Sequence, residues 1–135
     1  MAEQIPNILL VEDSPGWEAL IVNALRNCLI DKYRITRAES FDEALTQIGG
    51  SNFDLAILDY HLAPTSSGKQ QTGLDLARIL HERQLCSRVI LITAIPTASI
   101  EPICSAEGIV LISKARGDLE EEIQREVGYA LDRDN

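Results

Sequence analysis

Leu55-Ala56-Ile57-Leu58-Asp59 is a short, continuous apolar run that ends on a carboxylate. A strand with one face in water alternates in polarity, whereas a strand covered on both faces does not. The run is therefore read as a central strand of a parallel sheet. Ile8-Leu9-Leu10-Val11, Val89-Ile90-Leu91-Ile92 and Ile109-Val110-Leu111-Ile112 have the same unbroken character. Tyr33-Arg34-Ile35-Thr36-Arg37 alternates instead, as a half-exposed edge strand would.

Amphipathic stretches separate these runs. Trp17, Leu20, Ile21, Ala24, Leu25 and Cys28 repeat at three- and four-residue spacing, which gathers them on one helical face. Ser14 suits the N-cap of that helix and Pro15 its first position, where a missing N–H costs nothing. Phe41, Ala44, Leu45 and Ile48 form a second stripe. It opens with the capping-box pattern Ser40-Phe41-Asp42-Glu43 and stops at Gly49-Gly50, where a left-handed residue can end it. Leu76, Ile79 and Leu80 mark a third helix. A fourth must be short and start near Ser99–Glu101, because Pro102 cannot occupy a helix interior. Asp118-Leu119-Glu120-Glu121 opens the last, with Leu119, Ile123, Val127, Ala130 and Leu131 as its apolar positions.

Strand and helix thus alternate five times. That pattern predicts an α/β fold, a doubly wound five-stranded parallel sheet with right-handed crossovers and helices on both faces. The chain's 135 residues suit one domain, at roughly 100–200 residues each. We expect that domain to span 1–135 with its core at about 7–131. The net charge of −9 disfavours direct contact with nucleic acid or an anionic membrane surface. Cys28, Cys86 and Cys104 are odd in number and far apart, as expected for reduced thiols. The N-terminus has no signal-peptide layout and no apolar run is long enough for a membrane span, so a cytoplasmic protein is expected.

Ligands of open α/β sheets bind beyond the carboxyl ends of the strands, where strand order reverses. The first strand ends in Glu12-Asp13, the third in Asp59, the fourth in Thr93 and the fifth in Lys114. In an order of 2-1-3-4-5 the first and third strands are neighbours, and Asp59 faces Glu12 and Asp13. In the order 3-2-1-4-5 Asp59 would be stranded on the far edge. Clustered carboxylates repel one another unless a cation intervenes, and Mg²⁺, a hard ion that takes carboxylate oxygens, answers this. Lys114 adds a second positive charge and Thr93 a hydroxyl. The set suits an incoming phosphoryl group, with Asp59 as its nucleophile. Each residue alone has a plainer reading: an Asx turn, a helix-terminus acid, a strand-end threonine, a solvated lysine. Their joint placement favours the chemical one.

At these residues the sequence resembles the receiver (response-regulator) domain of two-component signalling. The resemblance runs from about Asn7 to Leu131. Its elements are Ile8-Leu9-Leu10-Val11-Glu12-Asp13, Leu55-Ala56-Ile57-Leu58-Asp59, Ile90-Leu91-Ile92-Thr93-Ala94 and Ile112-Ser113-Lys114. It implies that Asp59 accepts a phosphoryl group from a phosphohistidine on a histidine kinase or phosphotransfer domain. It further implies that Asp13, Asp59 and the backbone carbonyl of His61 hold Mg²⁺, with Glu12 acting directly or through water. Thr93 and Lys114 would bind the phosphoryl oxygens, and the small Ala94 would leave the site open to the donor.

Two departures stand out. The family usually has a proline after this lysine, joined by a cis bond; here the residue is Ala115, which leaves the geometry of that peptide open. The family's switch aromatic falls at Leu111, which has no ring to turn inward. Signalling through loop or surface changes is therefore expected, to an unidentified downstream protein. The segment Ala63–Thr72 is a loop-like insertion beside the site, read either as a tolerated surface loop or as a lid or determinant of donor choice. Only 21 residues follow Lys114, so no output domain is expected. Tyr129-Ala130-Leu131 suits either core packing or a homodimer seam. The main alternative is a degenerate receiver that serves only as a protein-interaction module. Turnover of a free phosphate ester is not expected, because no general acid accompanies Asp59.

Overall fold

The computed structural model describes residues 5–28, 32–49, 51–94, 98–115 and 117–131. Its elements run β1 (Asn7–Val11), α1 (Pro15–Cys28), β2 (Arg34–Ala38), α2 (Phe41–Gln47), β3 (Leu55–Asp59), α3 (Gly73–Glu82), β4 (Val89–Thr93), α4 (Glu101–Glu107), β5 (Val110–Ser113) and α5 (Leu119–Leu131). The five strands form one parallel sheet in the order β2-β1-β3-β4-β5, as expected.

The unbroken apolar runs are explained by the layers. Leu9, Val11, Ala56, Leu58, Val89 and Leu91 pack with residues of α2, α3 and α4 on one face of the sheet. Their neighbours Ile8, Leu10, Leu55, Ile57, Ile90 and Ile92 pack with α1 and α5 on the other. Every residue of β3 and β4 is buried. Burying each Leu, Ile or Val among them contributes roughly 1.5–3 kcal/mol. β2, at the edge, keeps Arg34 and Arg37 exposed, and charge on an edge discourages pairing with a second sheet.

Several local expectations shift. Ser40 caps α2, its hydroxyl accepting from the Glu43 N–H, but the Glu43 carboxylate accepts from the N–H of Glu39, 3.1 Å away. The reciprocal arm of the box thus lands one residue early. Ile48 closes this helix in right-handed conformation and Gly49 is not left-handed; Gly50 lies outside the described residues. The left-handed terminator occurs instead at Gly108 (φ 71°), after the short α4, where glycine carries no Cβ penalty. The insertion is ordered at both ends. Gln70 donates to the Leu62 carbonyl, the Ser66 N–H donates to the Asp42 carboxylate of α2, and His61 and Thr72 form an antiparallel bridge. Thr72 and Asp75 then form a complete capping box for α3. Cys86 and Cys104 are buried and Cys28 is half-buried, all three as free thiols. Among the described residues no helix is long and apolar enough to cross a membrane.

Candidate functional site

Register brings the strand-end residues together. Val11 pairs with Leu58, so Glu12, one residue on, is level with Asp59. Thr93 pairs with Ser113, and the Lys114 N–H donates to the Thr93 carbonyl at 2.7 Å. Alternation along the strands continues past their ends. Glu12, Asp59 and Lys114 follow the parity of Leu10, Ile57 and Ile112 on the α1/α5 face, while Thr93 follows Leu91 on the opposite one.

The result is a charged group inside the molecule. Glu12 is 2% exposed, Asp59 5% and Thr93 1%. The Lys114 ammonium lies 3.0 Å from Oε1 of Glu12 and 3.4 Å from Oδ1 of Asp59. It also stands over the indole ring of Trp17, 5.0 Å from the centroid. Oε2 of Glu12 accepts from the Ser14 N–H at 3.2 Å, tying the acid to the start of α1. Burial pushes the Glu12 carboxyl up to about 7; the Lys114 ammonium opposes that rise and the Asp59 charge adds to it.

Asp13 is exposed at the mouth. Carboxylate oxygens of Glu12, Asp13 and Asp59 lie within 4.8 Å of one another. Three hard oxygen donors at that spacing fit Mg²⁺, which takes carboxylates and retains water. The predicted carboxylates are therefore together. The His61 N–H donates to Oδ1 of Asp59 at 3.4 Å, an Asx-type turn that keeps the His61 backbone next to the carboxylate. Its exposed imidazole packs edge-on against Tyr60, with centroids 4.9 Å apart. The peptide between Lys114 and Ala115 is trans, and the Ala115 N–H donates to the Ser113 hydroxyl at 3.1 Å. Alanine thus follows the lysine without the cis bond that proline favours.

The sequence pattern puts Trp17 on the core stripe of the first helix, and it does pack there, half-buried. Its contact with Lys114 is not visible in that pattern. Parity along β5 puts the lysine on the α1 side of the sheet, but the closeness of α1 to that strand's end is tertiary. The Thr72–Asp75 box is not among the caps expected above, although Thr-x-x-Asp is legible as a helix start.

A profile described as the response regulator receiver domain matches residues 8–122. Comparison with curated proteins gives no match. Among solved structures, the fold is similar to the signal receiver domain of a putative LuxO repressor protein from Vibrio parahaemolyticus. The TM-score is 0.77 at 23% identity, covering 96% of this chain and 92% of that one. The receiver domain of an HD domain-containing protein from Pseudomonas fluorescens gives 0.76 at 24% identity, covering 96% of each chain. The response regulator TrrA from Thermotoga maritima, solved with Mg²⁺ and BeF, gives 0.71 at 26% identity over 94% of this chain and all of that one.

Proposed function

Because the chain belongs to the response regulator receiver family of two-component signalling, we propose that Asp59 accepts a phosphoryl group from a phosphohistidine donor. The donor is a histidine kinase or a histidine phosphotransfer domain. The observation that carries this reading is the Lys114 ammonium held between Glu12 and Asp59, two of three convergent carboxylates. A structural ion pair needs one acid; this lysine faces two, with a third at hand.

In the proposed step an Oδ atom of Asp59 attacks phosphorus in line with the donor's N–P bond. The P–O bond forms as the N–P bond breaks, and the bonding electron pair stays with the imidazole. Lys114 leaves its carboxylate partners to neutralise the phosphoryl oxygens, and the Thr93 hydroxyl takes a further one. Glu12, Asp13, Asp59 and the His61 carbonyl would hold Mg²⁺, which supplies positive charge against the developing phosphoryl charge. Dephosphorylation is the return of Asp59 by water attack at phosphorus. No turnover of a free substrate is proposed, and the output is a protein–protein contact with a downstream partner. We read the whole chain as one receiver domain working in the cytoplasm, with no direct contact with nucleic acid or membrane.

Intact mass after incubation with acetyl phosphate tests this. Wild type with Mg²⁺ should gain one phosphoryl group, and Asp59→Asn or EDTA should abolish it. A wild-type chain that binds Mg²⁺ but gains no mass would favour the interaction-module reading.

A further inference from the structure

We propose that Trp17 is a positioning residue for Lys114, its indole face steadying the ammonium beside the Glu12–Asp59 pair before phosphoryl transfer. The proposal rests on the phosphoacceptor reading of the site. It adds to that reading a residue outside the set of strand-end groups.

The observations come from two elements on one side of the sheet. Trp17 is the third residue of α1, the helix that begins just after Asp13 and Ser14. The ring is half-buried against the α1/α5 core. The ammonium stands 5.0 Å from its centroid, within cation–π range. The Lys114 side chain is only 6% exposed, so it has given up most of its water. Two carboxylates replace part of that hydration and the ring face replaces another part.

The choice of an aromatic ring has a chemical consequence. A third carboxylate against the ammonium would repel an incoming phosphoryl dianion and tighten the resting ion pair. An aliphatic side chain would shield the lysine without offering it any negative potential. An indole face attracts the cation through its quadrupole yet carries no net charge. It can therefore hold the lysine stem in place while the ammonium exchanges carboxylate oxygens for phosphoryl oxygens. Lysine has four flexible side-chain torsions, and fixing them beforehand lowers the entropy lost on transfer.

Trp17→Leu keeps the apolar bulk for the core, and Trp17→Phe keeps a ring. We expect acetyl phosphate to label the Leu variant about fivefold more slowly than wild type, with the Phe variant between them. Both should retain a cooperative melt. A packing role alone would make labelling follow melting temperature and would not single out the variant without a ring. A second readout needs no phosphorylation. Trp17 is the chain's only tryptophan, so Lys114→Met in the otherwise unaltered protein should change its emission, and Lys114→Arg should preserve it more closely. Labelling of Trp17→Leu at the wild-type rate, or emission indifferent to Lys114→Met, overturns the proposal while leaving the phosphoacceptor reading intact. Failure of the wild type itself to take a phosphoryl group overturns both.

Discussion

A Cβ placed on Gly73 would collide with the carbonyl oxygen of Asp59. It would also stand 2.9 Å from the Asp59 carbonyl carbon and 2.9 Å from Cδ1 of Leu91. The first residue of α3 is thus seated directly on the strand end that carries the central carboxylate. The Gly73 N–H donates to the Tyr60 carbonyl at 2.9 Å, which fixes the two segments further. Gly73→Ala should therefore destabilise the fold by about 3 kcal/mol, the upper end of ordinary overpacking, because the obstacle is backbone rather than a flexible side chain. Urea unfolding measures the loss. Phosphorylation at Asp59 should fall as well, even under conditions where the variant remains folded.

Lys114→Met would leave Glu12 and Asp59 facing each other with no ammonium between them. Glu12 can partly relieve this by holding a proton, so the loss should be smaller than for an obligate buried pair. We expect about 2 kcal/mol at pH 8 and less at pH 5. Mg²⁺ should then raise the melting temperature of the variant more than that of wild type, since the cation replaces the missing charge. Equal Mg²⁺ responses would show that Lys114 and the cation do not share these carboxylates.

Much of this arrangement is legible in the sequence because its cause is local. Leu55-Ala56-Ile57-Leu58-Asp59 shows both the burial of a strand and the carboxylate at its end. The strand order follows from asking which neighbour Asp59 would need, and the structure places Glu12 level with it. What stays hidden depends on how distant segments approach. Periodicity shows that Trp17 faces a core, not that its ring meets a lysine almost one hundred residues later. Ser40 and Glu43 have the right types for a reciprocal cap, but the carboxylate reaches Glu39 because side-chain torsions decide the last ångström. Composition does not settle the trans peptide at Ala115, since that geometry depends on the loop it enters.

The pH dependence of the metal-free protein should carry the mark of Glu12. Its carboxyl titrates at about 7 when folded, against an ordinary value of 4.5. Between those values the folded chain keeps a proton that the unfolded chain has released. Stability should thus fall as pH rises from about 4.5 to 7 and level off above. Glu12→Gln should flatten that slope. Urea midpoints at several pH values in EDTA are the measurement, and a wild-type profile that climbs through this window from this group would contradict the assignment.

Leu111 lies on the same face of the sheet as Thr93, partly buried against the α2–α4 core, with no ring to rotate. On that face α4 is further tied to α3 by Arg78, whose guanidinium meets both carboxylate oxygens of Glu107 at 2.9–3.3 Å. This exposed, solvent-screened pair adds little stability, but its two-pronged contact joins α3 to α4. Activation should therefore leave α4 in place and alter the surface near the site, at 61–72 and around Lys114. Amide exchange with and without Mg²⁺ and beryllium fluoride separates the cases. Protection should change in those loops while Glu101–Glu107 stays constant. A large change in α4, or its displacement in a structure of the beryllium fluoride complex, would mean that Leu111 relays the signal without needing a ring.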